Sequence, residues 1–132
     1  MKVDHIGIAV KSIKDALVQY EKILDKPDVQ IEEVASEKVR VAMISMGETR
    51  LEFLEPLTAD STISKFITEK GEGIHHVALT VDDINRSIQN LTGAGIRVLY
   101  PEPRQGAHGK KITFIHPKSA NGVLVELCQL AK

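Results

Sequence analysis

The sequence predicts an α+β fold built from two tandem βαβββ modules. An internal repeat is the first observation behind this. Asp4-His5-Ile6-Gly7-Ile8-Ala9-Val10 aligns with His75-His76-Val77-Ala78-Leu79-Thr80-Val81 at an offset of 71. The same offset carries Ser12 to Asp83, Ile13 to Ile84 and Leu17 to Ile88. The second observation is a change of hydrophobic period, from two-residue alternation to helical spacing, at the same point of both halves.

The elements follow in order. Val3 to Val10 alternates as a half-buried strand. Ser12 is an N-cap, and Ile13, Ala16, Leu17, Tyr20, Ile23 and Leu24 make one apolar helical face. Pro27-Asp28 breaks that pattern. Three strands follow: Val29 to Val34, Val39 to Met46 and Thr49 to Glu55, the last two separated by Gly47-Glu48. In the second strand, Val39, Val41 and Met43 share one face, and Arg40, Ala42 and Ile44 the other.

The second half repeats the scheme. Ile74 to Val81 is a strand, and Asp83 caps a helix through Ile84, Ile88 and Leu91 that ends at Gly93-Ala94-Gly95. Ile96 to Tyr100, Lys111 to His116 and Gly122 to Leu127 are the remaining strands expected. One domain over 1–132 then holds modules of about 1–57 and 73–132, joined by a linker over 58–72. Ile63, Phe66 and Ile67 make that linker helical, begun by Asp60 or Ser61. Pro101 to Gly109 is a long loop of the kind that covers sites.

Composition narrows the function. A net charge of -1 argues against a nucleic-acid partner. No apolar run is long enough to span a membrane, and Asp4 and His5 interrupt the N-terminal stretch that a signal peptide would need. A single cysteine, Cys128, excludes an internal disulfide, so a reducing, cytoplasmic location is expected. Aromatic residues make up only 4%, too few for binding by ring stacking.

His5 and His76 occupy the same position in each first strand. Glu52 and Glu126 stand mid-way along each last strand, 47 and 50 residues after their histidines. An unpaired carboxylate in an apolar strand is costly. Gathering two histidines and two glutamates around a divalent cation removes that cost and leaves coordination positions for substrate oxygens. Other polar residues are weaker candidates. Strand alternation turns His75 away from His76, and Cys128 reads as a buried inert thiol. His108, Lys110, His116 and Lys118 are candidate substrate contacts, as is Lys111.

These residues carry a resemblance. His5, Glu52, His76 and Glu126 in their strands resemble the vicinal oxygen chelate superfamily, the group of glyoxalase I, extradiol dioxygenases and epimerases. Gly106-Ala107-His108-Gly109, Phe114-Ile115-His116-Pro117-Lys118 and Gly122-Val123-Leu124-Val125-Glu126-Leu127 are similar to the methylmalonyl-CoA epimerase family within it. The resemblance implies a cupped, half-closed mixed sheet. It implies metal ligation by His5, Glu52, His76 and Glu126, with Co2+ foremost and Mn2+, Ni2+, Zn2+ or Mg2+ as other ions. The implied reaction interconverts (2R)- and (2S)-methylmalonyl-CoA by proton transfer at C2 through a metal-stabilised enolate. Glu126 is then the first base. The family's second glutamate falls on Val41 here, so Glu52 or a metal-bound water becomes the candidate for the opposite face.

An acyl-CoA substrate and a homodimer, the latter from exposed sheet edges, complete the expectation. Glyoxalase I, acting on a glutathione hemithioacetal, is the alternative in the same fold. An extradiol dioxygenase fits less well because Glu52 adds a fourth ligand, and a metal-free binding protein would not need the four ligands at all.

Overall fold

The computed structural model describes residues 1–131. Backbone contacts divide the chain into two units, one of residues 5–75 and one of residues 1–4 with 76–132.

The first unit contains most of β1 (Val3–Ala9), then α1 (Ile13–Ile23), β2 (Val29–Val34), β3 (Val39–Met46), β4 (Thr49–Pro56) and α2 (Thr62–Lys70). Its strands lie in the order β2-β3-β4-β1. β1 runs parallel to β4, while β2, β3 and β4 are antiparallel neighbours. Ser12 Oγ accepts from the Asp15 N–H and starts α1. The apolar face of α1 packs Ile13, Ala16, Leu17 and Tyr20 against Ile8, Ala42, Ile44 and Phe53. The Tyr20 ring meets Phe53 edge-on, with centroids 4.6 Å apart. Ser61, not Asp60, caps α2, which lies against β4. The linker helix therefore belongs with the first unit.

The second unit takes up most of β5 (Gly73–Thr80), then α3 (Ile84–Gly93), β6 (Arg104–Gln105), β7 (Lys111–Ile115) and β8 (Val125–Gln129). Their order is β5-β8-β7-β6. Asp83 caps α3, whose Ile84 and Ile88 pack on Leu79, Ile115 and Leu127. Gly95, at φ +84°, turns the chain after the helix in a region that side chains disfavour.

The repeat holds at the level of single hydrogen bonds. The Val10 N–H donates to the Leu54 carbonyl, and the equivalent Val81 N–H to that of Cys128. The Ile13 N–H that opens α1 donates to Glu55 Oε1 at 2.8 Å. The Ile84 N–H that opens α3 donates to Gln129 Oε1 at 2.9 Å. Glu55 and Gln129 each stand three residues beyond the site glutamate of their half.

The expected strand at Ile96 to Tyr100 is absent. Only Val98 forms a bridge, to Ile115, and the next ladder strand is the two-residue β6. The reason is local. Thr113 Oγ1 accepts from the Tyr100 N–H and donates to the Tyr100 carbonyl, taking the bonds a backbone partner would make. Pro101 and Pro103 then remove two donors. The last strand also sits later than expected, at Val125–Gln129, because Gly122 (φ +88°) closes a turn onto the Pro117 carbonyl.

Candidate active site

Alternation along the strands gives each sheet two different faces. In the first unit Ile8, Ala42, Ile44, Leu51 and Phe53 turn towards α1. The neighbouring residues His5, Glu52, Met43 and Val41 therefore turn to the opposite face. The parallel register sets His5 beside Arg50 and Gly7 beside Glu52. His5 Nδ1 comes to 3.3 Å from Glu52 Oε2. In the second unit Leu79, Val125 and Leu127 face α3, leaving His76 and Glu126 on the other side. There His76 Nε2 is 3.3 Å from Glu126 Oε1. The four residues are only 3–5% exposed.

The two pairs are not identical. Arg50 Nε and Nη2 both donate to Glu52 Oε2, at 3.4 and 3.3 Å. The equivalent position of the second unit is Leu124. In its place an aromatic row lines the second pair. Phe114 lies opposite Glu126 in the β7–β8 register, and its ring meets that of His76 edge-on at 5.7 Å. Tyr100 meets Phe114 at 5.8 Å. Val41, where the resemblance placed a second glutamate, is 2% exposed and pairs with Leu54 and Glu32. No carboxylate stands at that position.

The donor chemistry of each pair suits a borderline divalent ion. Imidazole nitrogen and carboxylate oxygen are its preferred ligands, and buried carboxylates call for a cation. His5 with Glu52, and His76 with Glu126, are thus the residues that would hold one.

The remaining sequence candidates are used differently. Lys110 is buried, and its ammonium sits 2.7 Å from Asp4 Oδ2, away from solvent. His116 Nδ1 accepts from the Lys118 N–H at 3.0 Å, capping a short 3-10 turn. His108 is exposed, in a left-handed backbone at φ +57°. Lys118 is also exposed. His75 packs its ring edge-on against Phe66 at 4.9 Å, in keeping with a structural role. Cys128 is fully buried, and its thiol is pushed up to about 12, first by burial and then by the charges of Asp4 and Glu126.

Arg50, the aromatic row and the Asp4–Lys110 pair were not singled out as site features from sequence. Arg50 was legible in principle, since it stands two residues before Glu52 and so on the same face.

Residues 4–114 match the family described as the glyoxalase/bleomycin resistance protein/dioxygenase superfamily. An ethylmalonyl-CoA/methylmalonyl-CoA epimerase of Cereibacter sphaeroides is 38% identical over 98% of each chain. The chain belongs to this superfamily, in its methylmalonyl-CoA epimerase family. Family members of known structure carry the same fold. A variant of the Streptomyces coelicolor methylmalonyl-CoA epimerase, in complex with 2-nitronate-propionyl-CoA, superposes with a TM-score of 0.91. It is 38% identical, over 99% of this chain and 95% of that one. An uncharacterized Bacillus subtilis protein, YqjC, is 47% identical over 97% of this chain and 91% of its own length. Among the described residues, no helix is long and apolar enough to cross a membrane.

Proposed function

We propose that the protein epimerises methylmalonyl-CoA at C2, and that His5, Glu52, His76 and Glu126 together hold one divalent ion for that purpose, Co2+ first among those expected. One observation carries this reading. Each unit sets a buried histidine nitrogen 3.3 Å from a buried glutamate oxygen, on the sheet face its helix leaves uncovered. The full-length likeness to epimerases of acyl-CoA thioesters supports the choice of substrate.

The chemistry follows from the substrate. The C2 hydrogen lies between a thioester and a carboxylate, so its loss gives a planar enolate. A nitronate is likewise a planar anion, and the ligand named for the Streptomyces protein carries one. A divalent ion at these ligands would supply a Lewis acid for the negative charge that builds on the substrate oxygens.

Glu126 removes the proton from one face of C2, and delivery to the other face inverts the centre. It is the first base because a carboxylate among the ion's ligands can both hold the ion and accept the substrate's proton. Glu52 serves the opposite face, because Val41 offers no carboxylate there.

The test is an epimerisation assay starting from one stereoisomer. The chain should convert (2R)- to (2S)-methylmalonyl-CoA, and Glu126→Gln should abolish this while circular dichroism stays native. Full activity in the folded variant would remove Glu126 from the mechanism. A cytoplasmic location and a homodimer belong to the same reading. The exposed Ile31 on the outer strand β2 supports the dimer, and sedimentation would check it.

A further inference from the structure

Resting on the acyl-CoA reading above, the geometry points to Arg104, stacked on Tyr100, as the anchor for a phosphate of the CoA nucleotide. Phe114 and Tyr100 form the shelf along which the pantetheine arm lies.

Two independent observations place Arg104 on the site face of the second unit. The first is register. Arg104 pairs with Ile112, and Ile112 with Cys128, two residues beyond Glu126. Paired and alternate residues share a face, so Arg104, Ile112 and Glu126 point the same way. The second is a row of contacts. From the His76 ring the chain of neighbours runs to Phe114 at 5.7 Å, then to Tyr100 at 5.8 Å. It ends at the Arg104 guanidinium, 3.7 Å above the Tyr100 ring.

The chemistry of the row matches the substrate. An acyl-CoA has its reacting carbon at one end, a flexible chain of two amides in the middle and phosphates at the other. Edge-to-face rings give the middle an apolar, amphipathic surface. A guanidinium stacked on a ring is held rigid and keeps its N–H edge for a bidentate phosphate. Arg104 itself is exposed, so an arriving anion reaches it without unfolding the loop.

The test is calorimetric titration of the full chain with coenzyme A. Wild type, Arg104→Ala, Arg104→Glu and the control Lys22→Ala, an exposed position on α1, are compared. Arg104→Ala should weaken coenzyme A binding about tenfold and Arg104→Glu further, with Lys22→Ala within about twofold of wild type. The preference in kcat/KM for methylmalonyl-CoA over methylmalonyl-pantetheine, which lacks the nucleotide, should fall by a similar factor in Arg104→Ala. Titration with 3′-dephospho-coenzyme A identifies the phosphate. Loss of the Arg104 effect assigns the 3′-phosphate, and its persistence assigns the pyrophosphate. Equal coenzyme A affinity in wild type and both Arg104 variants overturns the inference and leaves the epimerase reading standing. A wild-type chain that binds no coenzyme A overturns both.

Discussion

Replacing Lys110 by Met should be among the most damaging single changes outside the catalytic residues. The Lys110 ammonium and the Asp4 carboxylate meet at 2.7 Å with side chains only 6% and 4% exposed. A pair of that kind at the surface would contribute about 0–1 kcal/mol. Here Lys110→Met leaves Asp4 charged, buried and without its cation, which costs about 3–5 kcal/mol. For a chain of this size the melting temperature should drop by roughly 10–20 °C. Asp4→Asn combined with Lys110→Met removes both charges and should recover much of the loss. A double-mutant cycle read by urea denaturation would measure the coupling, expected to exceed about 1 kcal/mol. The reasoning fails if Lys110→Met stays within about 1 kcal/mol of wild type, or if the two substitutions simply add.

Four further outcomes are expected. Cys128 should resist iodoacetamide at pH 8 in the native protein and react on denaturation, because its folded thiol titrates only near 12. The same shift sets a pH dependence. Between about 9 and 12 the unfolded thiol ionises while the folded one keeps its proton, so stability falls as pH rises through that window. Cys128→Ala should flatten this slope in denaturation curves compared across the window. Glu52→Gln should let one stereoisomer exchange its C2 hydrogen with solvent faster than it inverts, as expected when one of two bases is missing. Inversion that keeps pace with exchange in that variant would remove Glu52 from proton transfer. Phe53→Ala should cost about 3–5 kcal/mol, since Phe53 is fully buried beneath α1, and chemical denaturation would measure it.

The fold was legible because the repeat is periodic in both sequence and structure. The offset of 71 that aligned His5 with His76 also aligns the helix starts at Ile13 and Ile84, and hydrophobic periodicity located both helices. Alternation set Ala42 and Ile44 on one face of β3 and Val41 on the other, and the structure puts the first two beneath α1. What escaped was set by side chains competing with the backbone. Thr113 satisfies both backbone groups of Tyr100, and no two-residue pattern signals that the strand expected at 96–100 is thereby lost. The Asp4–Lys110 pair joins residues 106 positions apart, a distance over which local pattern says nothing. Glu55 and Gln129 could have been recognised as helix caps by extending the repeat three residues past each site glutamate.

The central claim is that this chain inverts C2 of methylmalonyl-CoA with its buried His–Glu pairs and a divalent ion. A stereochemical exchange assay in deuterated water, on metal-stripped and Co2+-reloaded protein, tests it most directly. Reloaded protein should incorporate deuterium at C2 together with inversion, and stripped protein should do neither. Exchange and inversion at the same rate with and without the ion, or none in the reloaded protein, would contradict the account.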